Sequence, residues 1–144
     1  MTVVSPAALE LAQQLLRHEA DGRLGAEALA AAAERVGGRM RGRLTDLVGL
    51  AGYHALFARA LRLAQEEIPA LKRITLDTNA EGGLRGIREF AGAQVDDSAA
   101  AAGLTAILAN LIGLLVVFVG EDLAIRLVRD AWPEGIRDMV SAEE

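Results

Sequence analysis

The amino-acid sequence predicts an all-α protein, a bundle of about five helices around one long apolar helix at about 98–120. Three observations carry that prediction. Alanine and leucine dominate while aromatics make up 3% of the residues, and Ala, Leu, Arg and Glu are the stronger helix formers. The β-branched residues cluster at Val116, Val117 and Val119 and nowhere alternate with polar ones over a strand length. Pro6, Pro69 and Pro133 all stand where helices should start or stop. At 144 residues the chain suits a single domain, 1–144, with one hydrophobic core.

Ser5-Pro6 reads as an N-cap followed by proline at the first helical position, where a missing N–H costs nothing. The helix it opens should run to about Ala20 and stop at Asp21-Gly22. Leu9, Ala12, Leu15 and Leu16 form its apolar stripe, with Glu10, Gln14 and His18 on another face.

A second helix should begin near Gly25. Leu29, Ala33, Val36, Met40, Leu44 and Leu47 step by 4, 3, 4, 4 and 3, a helical period that runs straight through Gly37-Gly38. The glycine pair therefore weakens or kinks the helix, which continues to about Gly49. A third helix, 51–68, presents Tyr53, Phe57, Leu61 and Ala64 and is stopped by Pro69.

Residues 70–83 turn polar and read as a surface loop, with a short helix from Leu84 to Phe90 beyond it. Asp96-Asp97-Ser98 supplies capping oxygens and negative charge for the start of the apolar helix. After Gly120 the helix continues or kinks into an amphipathic one, 121–132, with Leu123, Leu127, Val128, Ala131 and Trp132 on one side. Asp122, Arg126 and Asp130 alternate in sign at i, i+4 on another face. Pro133 ends it, leaving 134–144 as a C-terminal tail.

The apolar segment is long enough to cross a bilayer. Its 23 residues between the acidic pairs would make roughly 35 Å of helix against a hydrocarbon core of ~30 Å. Three features favour a buried helix instead. Both ends are acidic, no Trp or Tyr marks an interface, and the alanines with Gly103 dilute the first turns. Gly103, Ala106, Asn110, Gly113, Val117 and Gly120 make a small-residue seam where a second helix can approach closely. Leu104, Leu108, Leu111, Leu115 and Phe118 make a bulky seam, and Ile112, Val116 and Val119 a third. Such a helix must be surrounded, and the amphipathic stripes elsewhere each need an apolar partner.

Catalytic chemistry is hard to build from these residues. Cysteine is absent, which removes disulfides, thiol catalysis and Cys-based metal sites. His18 and His54 are isolated and outside any H-E-x-x-H or E-x-x-H arrangement, so no metal and no cofactor are expected. Gly37–Arg43 lacks the lysine and spacing of a phosphate loop. Ser5 and Ser98 read as caps, and Ser141 lies in the tail. The acidic pairs are adjacent residues, pointing about 100° apart on a helix, so they are not acid/base dyads. A net charge of −5 argues against nucleic acid as a partner.

Six residues are candidates for interaction. Arg35, Arg39 and Arg43 stack at i, i+4 opposite Val36, Met40 and Leu44. Like charges at that spacing repel, so an anionic neighbour is expected: Glu34, Asp46, an acidic face elsewhere in the fold, or an acidic partner protein. Asn110, next to Gly113 in the small seam, either bonds within the bundle or sets register across an oligomer interface. Trp132 ends an apolar stripe and reads as core or as a contact residue.

The expected function is that of a non-enzymatic helical interaction or regulatory protein, a homo-oligomer acting through helix contacts. The N-terminus MTVVSPAALE has neither the basic start nor the apolar run of a secretory signal, so the expected location is cytoplasmic. A membrane-associated protein with 98–120 inserted is the first alternative. A sensor enclosing a small apolar ligand beside the glycines and alanines of 103–120 is the second.

Overall fold

The structure is a computed structural model that describes residues 4–23, 25–77, 79 and 83–133. The expected tail, 134–144, lies outside the described residues. The fold is the predicted all-α bundle. Its helices are α1 (Pro6–Glu19), α2 (Ala26–Glu67), α3 (Ile87–Gly92), α4 (Asp97–Val119) and α5 (Glu121–Ala131).

α1 is capped as expected, with Ser5 Oγ accepting from the Ala8 N–H at 3.1 Å. Asp21 and Gly22 end it with φ of 55° and 77°. Its buried stripe is Ala8, Leu11, Ala12, Leu15 and Leu16, and Gln14 is buried with them. Leu9, expected on that stripe, is 41% exposed. The bundle covers the face centred on Ala8, Ala12 and Leu15, which leaves Leu9 on its margin.

α2 is two helices in one run. Gly49, at φ 79° and ψ 166°, interrupts it where the sequence predicts an end. The arms 26–48 and 50–67 fold back on each other: Tyr53 Oη donates to the Gly37 carbonyl at 3.2 Å. A straight helix would hold those residues about 24 Å apart. No kink forms at Gly37-Gly38, and Gly37 is buried where the tyrosine meets it. Leu29, Ala33, Val36, Met40 and Leu44 are buried as expected, but Leu47, near the turn, is 42% exposed.

The acidic pair before α4 divides its work. Asp96 caps α4 by accepting from the Ala99 N–H at 2.8 Å. Asp97 accepts from the Ala26 N–H at 3.1 Å and so caps α2, whose own N-cap is the side-chain-less Gly25. One hydrogen bond thereby ties the starts of α2 and α4 together.

The stretch 70–83, expected to be a surface loop, is partly core. Pro69–Arg73 forms a 3₁₀ turn, and Leu71 and Ile74 are both fully buried. Their spacing of three matches the 3₁₀ period, so both point inward while Lys72 and Arg73 face water. Gln65 Nε2 holds the turn by donating to the carbonyls of Leu71 and Ile74 at 3.2 and 3.1 Å. Beyond it, β1 (Thr75–Leu76) pairs antiparallel with β2 (Leu84–Arg85). Asp77 beside this pair accepts from the Asn79 N–H and from Arg85, and these contacts hold its carboxyl below the usual range. The short helix starts at Ile87 rather than Leu84, because Leu84 is spent on the strand pair.

α4 touches α1, α2, α3 and α5, and every residue from Gly103 to Leu115 is buried. Gly103 is required by packing: a Cβ there would stand 2.8 Å from Phe90 Cε2 and 3.2 Å from Leu71 Cδ2. The seams open in the last turn, where Val117 is 73% and Phe118 61% exposed. Gly120, at φ 91° and ψ 158°, then turns the chain into α5 with nearly the backbone of Gly49. That region of φ/ψ space is essentially reserved for glycine. α5 lays Ala124, Val128 and Ala131 against the bundle.

Candidate interaction site

Three of the six candidate residues, Arg35, Arg39 and Trp132, meet at Glu19, an acid that no sequence pattern singles out. Glu19 closes α1 with its side chain 8% exposed. An acid in a last turn opposes the helix dipole, so it needs cations from elsewhere. That misfit was the available signal in the sequence. Arg35 Nε reaches Glu19 Oε1 at 3.2 Å and Arg39 Nε reaches Oε2 at 3.0 Å. Trp132 Nε1 donates to the same Oε2 at 2.7 Å.

Arg39 has three tasks. Besides meeting Glu19, its Nη1 donates to the Ala131 carbonyl at 2.9 Å, satisfying the open C-terminal end of α5. Its guanidinium also lies 5.3 Å from the centre of the Trp132 ring, within cation–π range. Arg43 pairs with Asp130 at 3.4 Å. Of the acids expected beside the stripe, Glu34 pairs instead with Arg88 at 3.1 Å. The three arginines and Trp132 thus fasten α5 to α1 and α2. Trp132 itself is 1% exposed and part of the core.

Asn110 and Gly113 lie apart from that cluster, inside the bundle. Asn110 is 1% exposed, and its Nδ2 donates to the Ala106 carbonyl of its own helix at 2.8 Å. Its Oδ1 has no partner among the described residues, a cost of about 1–3 kcal/mol. Its side chain is thus enclosed by the chain's own fold. Gly113 is likewise buried by the chain itself.

Two open grooves flank α4. The larger, about 530 Å³, runs along Ala101, Ala102, Ala106 and Ala109 between Leu9 of α1 and Ile68 after α2. Small residues of α4 thus line an open groove on its outer side. The second, about 260 Å³, lies between α1 and α5 over Ile112 and Val116. His54 packs beside Tyr53 with ring centres 5.6 Å apart and the ring planes tilted by 58°. Among the described residues no three acidic or histidine side chains gather as a metal site.

No family model, curated relative or solved structure matches the chain.

Proposed function

We propose that this chain is a non-enzymatic helical interaction protein of the cytoplasm that associates with itself through helix faces. One observation carries the reading. The apolar helix α4 is wrapped by its own chain up to Leu115 and then presents Val117 and Phe118 to solvent, at 73% and 61% exposure. Single exposed apolar residues need no explanation, whereas a neighbouring pair at the end of an otherwise enclosed apolar helix supports a surface that another molecule covers. Leu47 and Leu50, 42% and 47% exposed, flank the turn of α2 and add to the apolar surface left outside.

The acidic partner expected for the arginine stripe is not part of this reading, because Glu19 and Asp130 already serve those arginines. Nucleic acid is equally outside it, at a net charge of −5. Light scattering on the eluting protein across a concentration series is the test. A mass above that of the 15.2 kDa chain is expected, and a monomer at every concentration would refute self-association.

A second reading keeps α4 as a membrane-inserting helix, since it is long and apolar enough to cross a bilayer. Weighing against it, 72% of its most apolar stretch is buried in the chain's own fold. Recovery only in the detergent-extracted membrane fraction of a lysate would favour insertion over the soluble protein.

A further inference from the structure

α4 carries a second stripe of small residues, apart from the seam through Gly103 and Asn110. Ser98, Ala102, Thr105 and Ala109 step by 4, 3 and 4, so they share one face of the helix. That face is the floor of the 530 Å³ groove, walled by Leu9 and Leu16 of α1 and by Leu29 and Ile68 at the two ends of α2. From Ser98 to Ala109 the floor runs about 16 Å along the helix. Small-molecule sites typically enclose roughly 300–1,000 Å³, with apolar walls and a few placed polar groups. The groove has that size and that lining.

Thr105 supplies the polar group. The residue is 7% exposed, yet its hydroxyl makes no hydrogen bond among the described residues. A helical threonine can bond the carbonyl four residues back, and a buried hydroxyl that forgoes any partner is costly. The side-chain atoms sealed from solvent without a partner are Thr45 Oγ1, His54 Nε2 and Asn110 Oδ1. Thr105 Oγ1 is not one of them, so its oxygen opens into the groove that Thr105 lines. The charged side chains lining the groove are Arg17 and Glu67, one of each sign. Such a rim attracts neither an anion nor a cation over an uncharged molecule.

We propose that this groove binds an uncharged amphiphile, with its apolar chain along Ala102 and Ala109 and its hydroxyl or carbonyl oxygen hydrogen-bonded to Thr105 Oγ1. The threonine hydroxyl donates to a carbonyl or exchanges a bond with a hydroxyl, and the chain takes the alanine face out of water. This goes beyond self-association and uses none of Val117, Phe118, Leu47 or Leu50, so either proposal can fail alone.

Titration calorimetry with 1-decanol tests it, against decanoate and decylammonium, which carry the same chain on charged heads. Decanol is expected to fill one saturable site per chain with a negative heat-capacity change. The charged probes should bind about tenfold more weakly, because each would bring an unpaired charge to an apolar groove. Thr105→Val keeps the shape, removes the hydroxyl and should weaken decanol about three- to tenfold. Ala102→Phe, at an exposed position of the floor, fills the groove and should abolish binding. Circular dichroism on both variants confirms that the helices persist.

Flotation with phosphatidylcholine vesicles separates the two sources of such a ligand. Capture that Ala102→Phe abolishes places the amphiphile in a bilayer, and no capture makes it a free molecule. No saturable decanol site, or one that neither variant weakens, overturns the proposal. Equal affinity for a charged probe overturns the uncharged class, and loss in Ala102→Phe alone overturns the Thr105 contact. A wild-type dimer that Ala102→Phe dissolves, with no decanol bound, gives the groove to a second copy instead.

Discussion

Trp132 Nε1 donates to Glu19 Oε2 at 2.7 Å, joining the end of α5 to the end of α1 across 113 positions of sequence. Both arginines that meet Glu19 come from α2. Three helices are therefore held by one carboxylate, nearly closed off from water.

Replacing either member of that bond should loosen α5. Trp132→Phe keeps the ring's apolar contacts and loses a hydrogen bond to a charged group, about 1.5–3 kcal/mol by equilibrium denaturation. Glu19→Gln removes the charge that Arg35 and Arg39 answer, and it should cost a similar amount. The residues touch, so the two losses combined should fall short of their sum, which a double-mutant cycle measures directly.

Arg39 and Arg43 should differ although they share a stripe. The Arg43–Asp130 pair is 44% and 48% exposed, which places Arg43→Ala at about 0–1 kcal/mol. Arg39→Ala loses the Glu19 contact, the Ala131 carbonyl and the ring of Trp132 together. It should cost clearly more. Trp132 is the sole tryptophan, so its emission should shift to the red only in the Arg39 variant.

Gly49→Ala should destabilise by about 1–3 kcal/mol without displacing any neighbour. A Cβ there meets nothing within 4 Å, so the cost is the positive φ alone. Gly42→Ala, with equal space and no positive φ, should be neutral or stabilise by up to ~1 kcal/mol through helix propensity. Thermal unfolding of the two variants separates backbone conformation from packing.

Gly103→Ala should destabilise despite the same propensity gain. Phe90 is fully buried and cannot swing away from the added methyl, so overpacking of about 1–3 kcal/mol prevails. Gly103→Ala combined with Phe90→Leu should recover part of the loss, because the shorter side chain vacates the contact.

Alkaline pH should destabilise through Tyr53. Burial raises its phenol above the ordinary value of 10.0, and the hydroxyl donates to the Gly37 carbonyl. The neutral form belongs to the fold, so its contribution is fully present below the unfolded pKa. Above about pH 10 the unfolded chain loses this proton while the fold keeps it, and stability falls by ~1.4 kcal/mol per pH unit. Tyr53 is the only tyrosine, so phenolate absorbance reports on this one site. Phenolate absorbance should appear only with unfolding, and Tyr53→Phe should flatten the stability profile above pH 10.

Local chemistry was legible from the residues. Ser5 before Pro6, Asp96 before α4, the end of a helix near Gly49 and the break at Gly120 follow from caps and breakers that act within a few positions. The burial of Tyr53, Phe57, Leu61 and Ala64 follows from helical period. What depended on distant chain was not legible. Asp97 looks like a cap for its own helix, yet it caps α2, because only the fold brings Ala26 beside it. Leu71 and Ile74 sit among polar neighbours, and their burial depends on a 3₁₀ turn held by Gln65. Leu9 and Gln14 exchange places because the buried face is set by what packs on α1.

The sequence by itself determined that the chain is helical, where most helices begin and end, and that the apolar helix at about 98–120 would be surrounded. Propensity, capping and hydrophobic period act over short spans and leave their mark in residue order. Only the tertiary structure decided which acid answers Arg35 and Arg39 and where the apolar helix emerges into solvent. Those outcomes depend on side chains of different helices meeting, 16 positions apart for Arg35 and Glu19 and 113 for Trp132 and Glu19, and no local pattern records such a meeting.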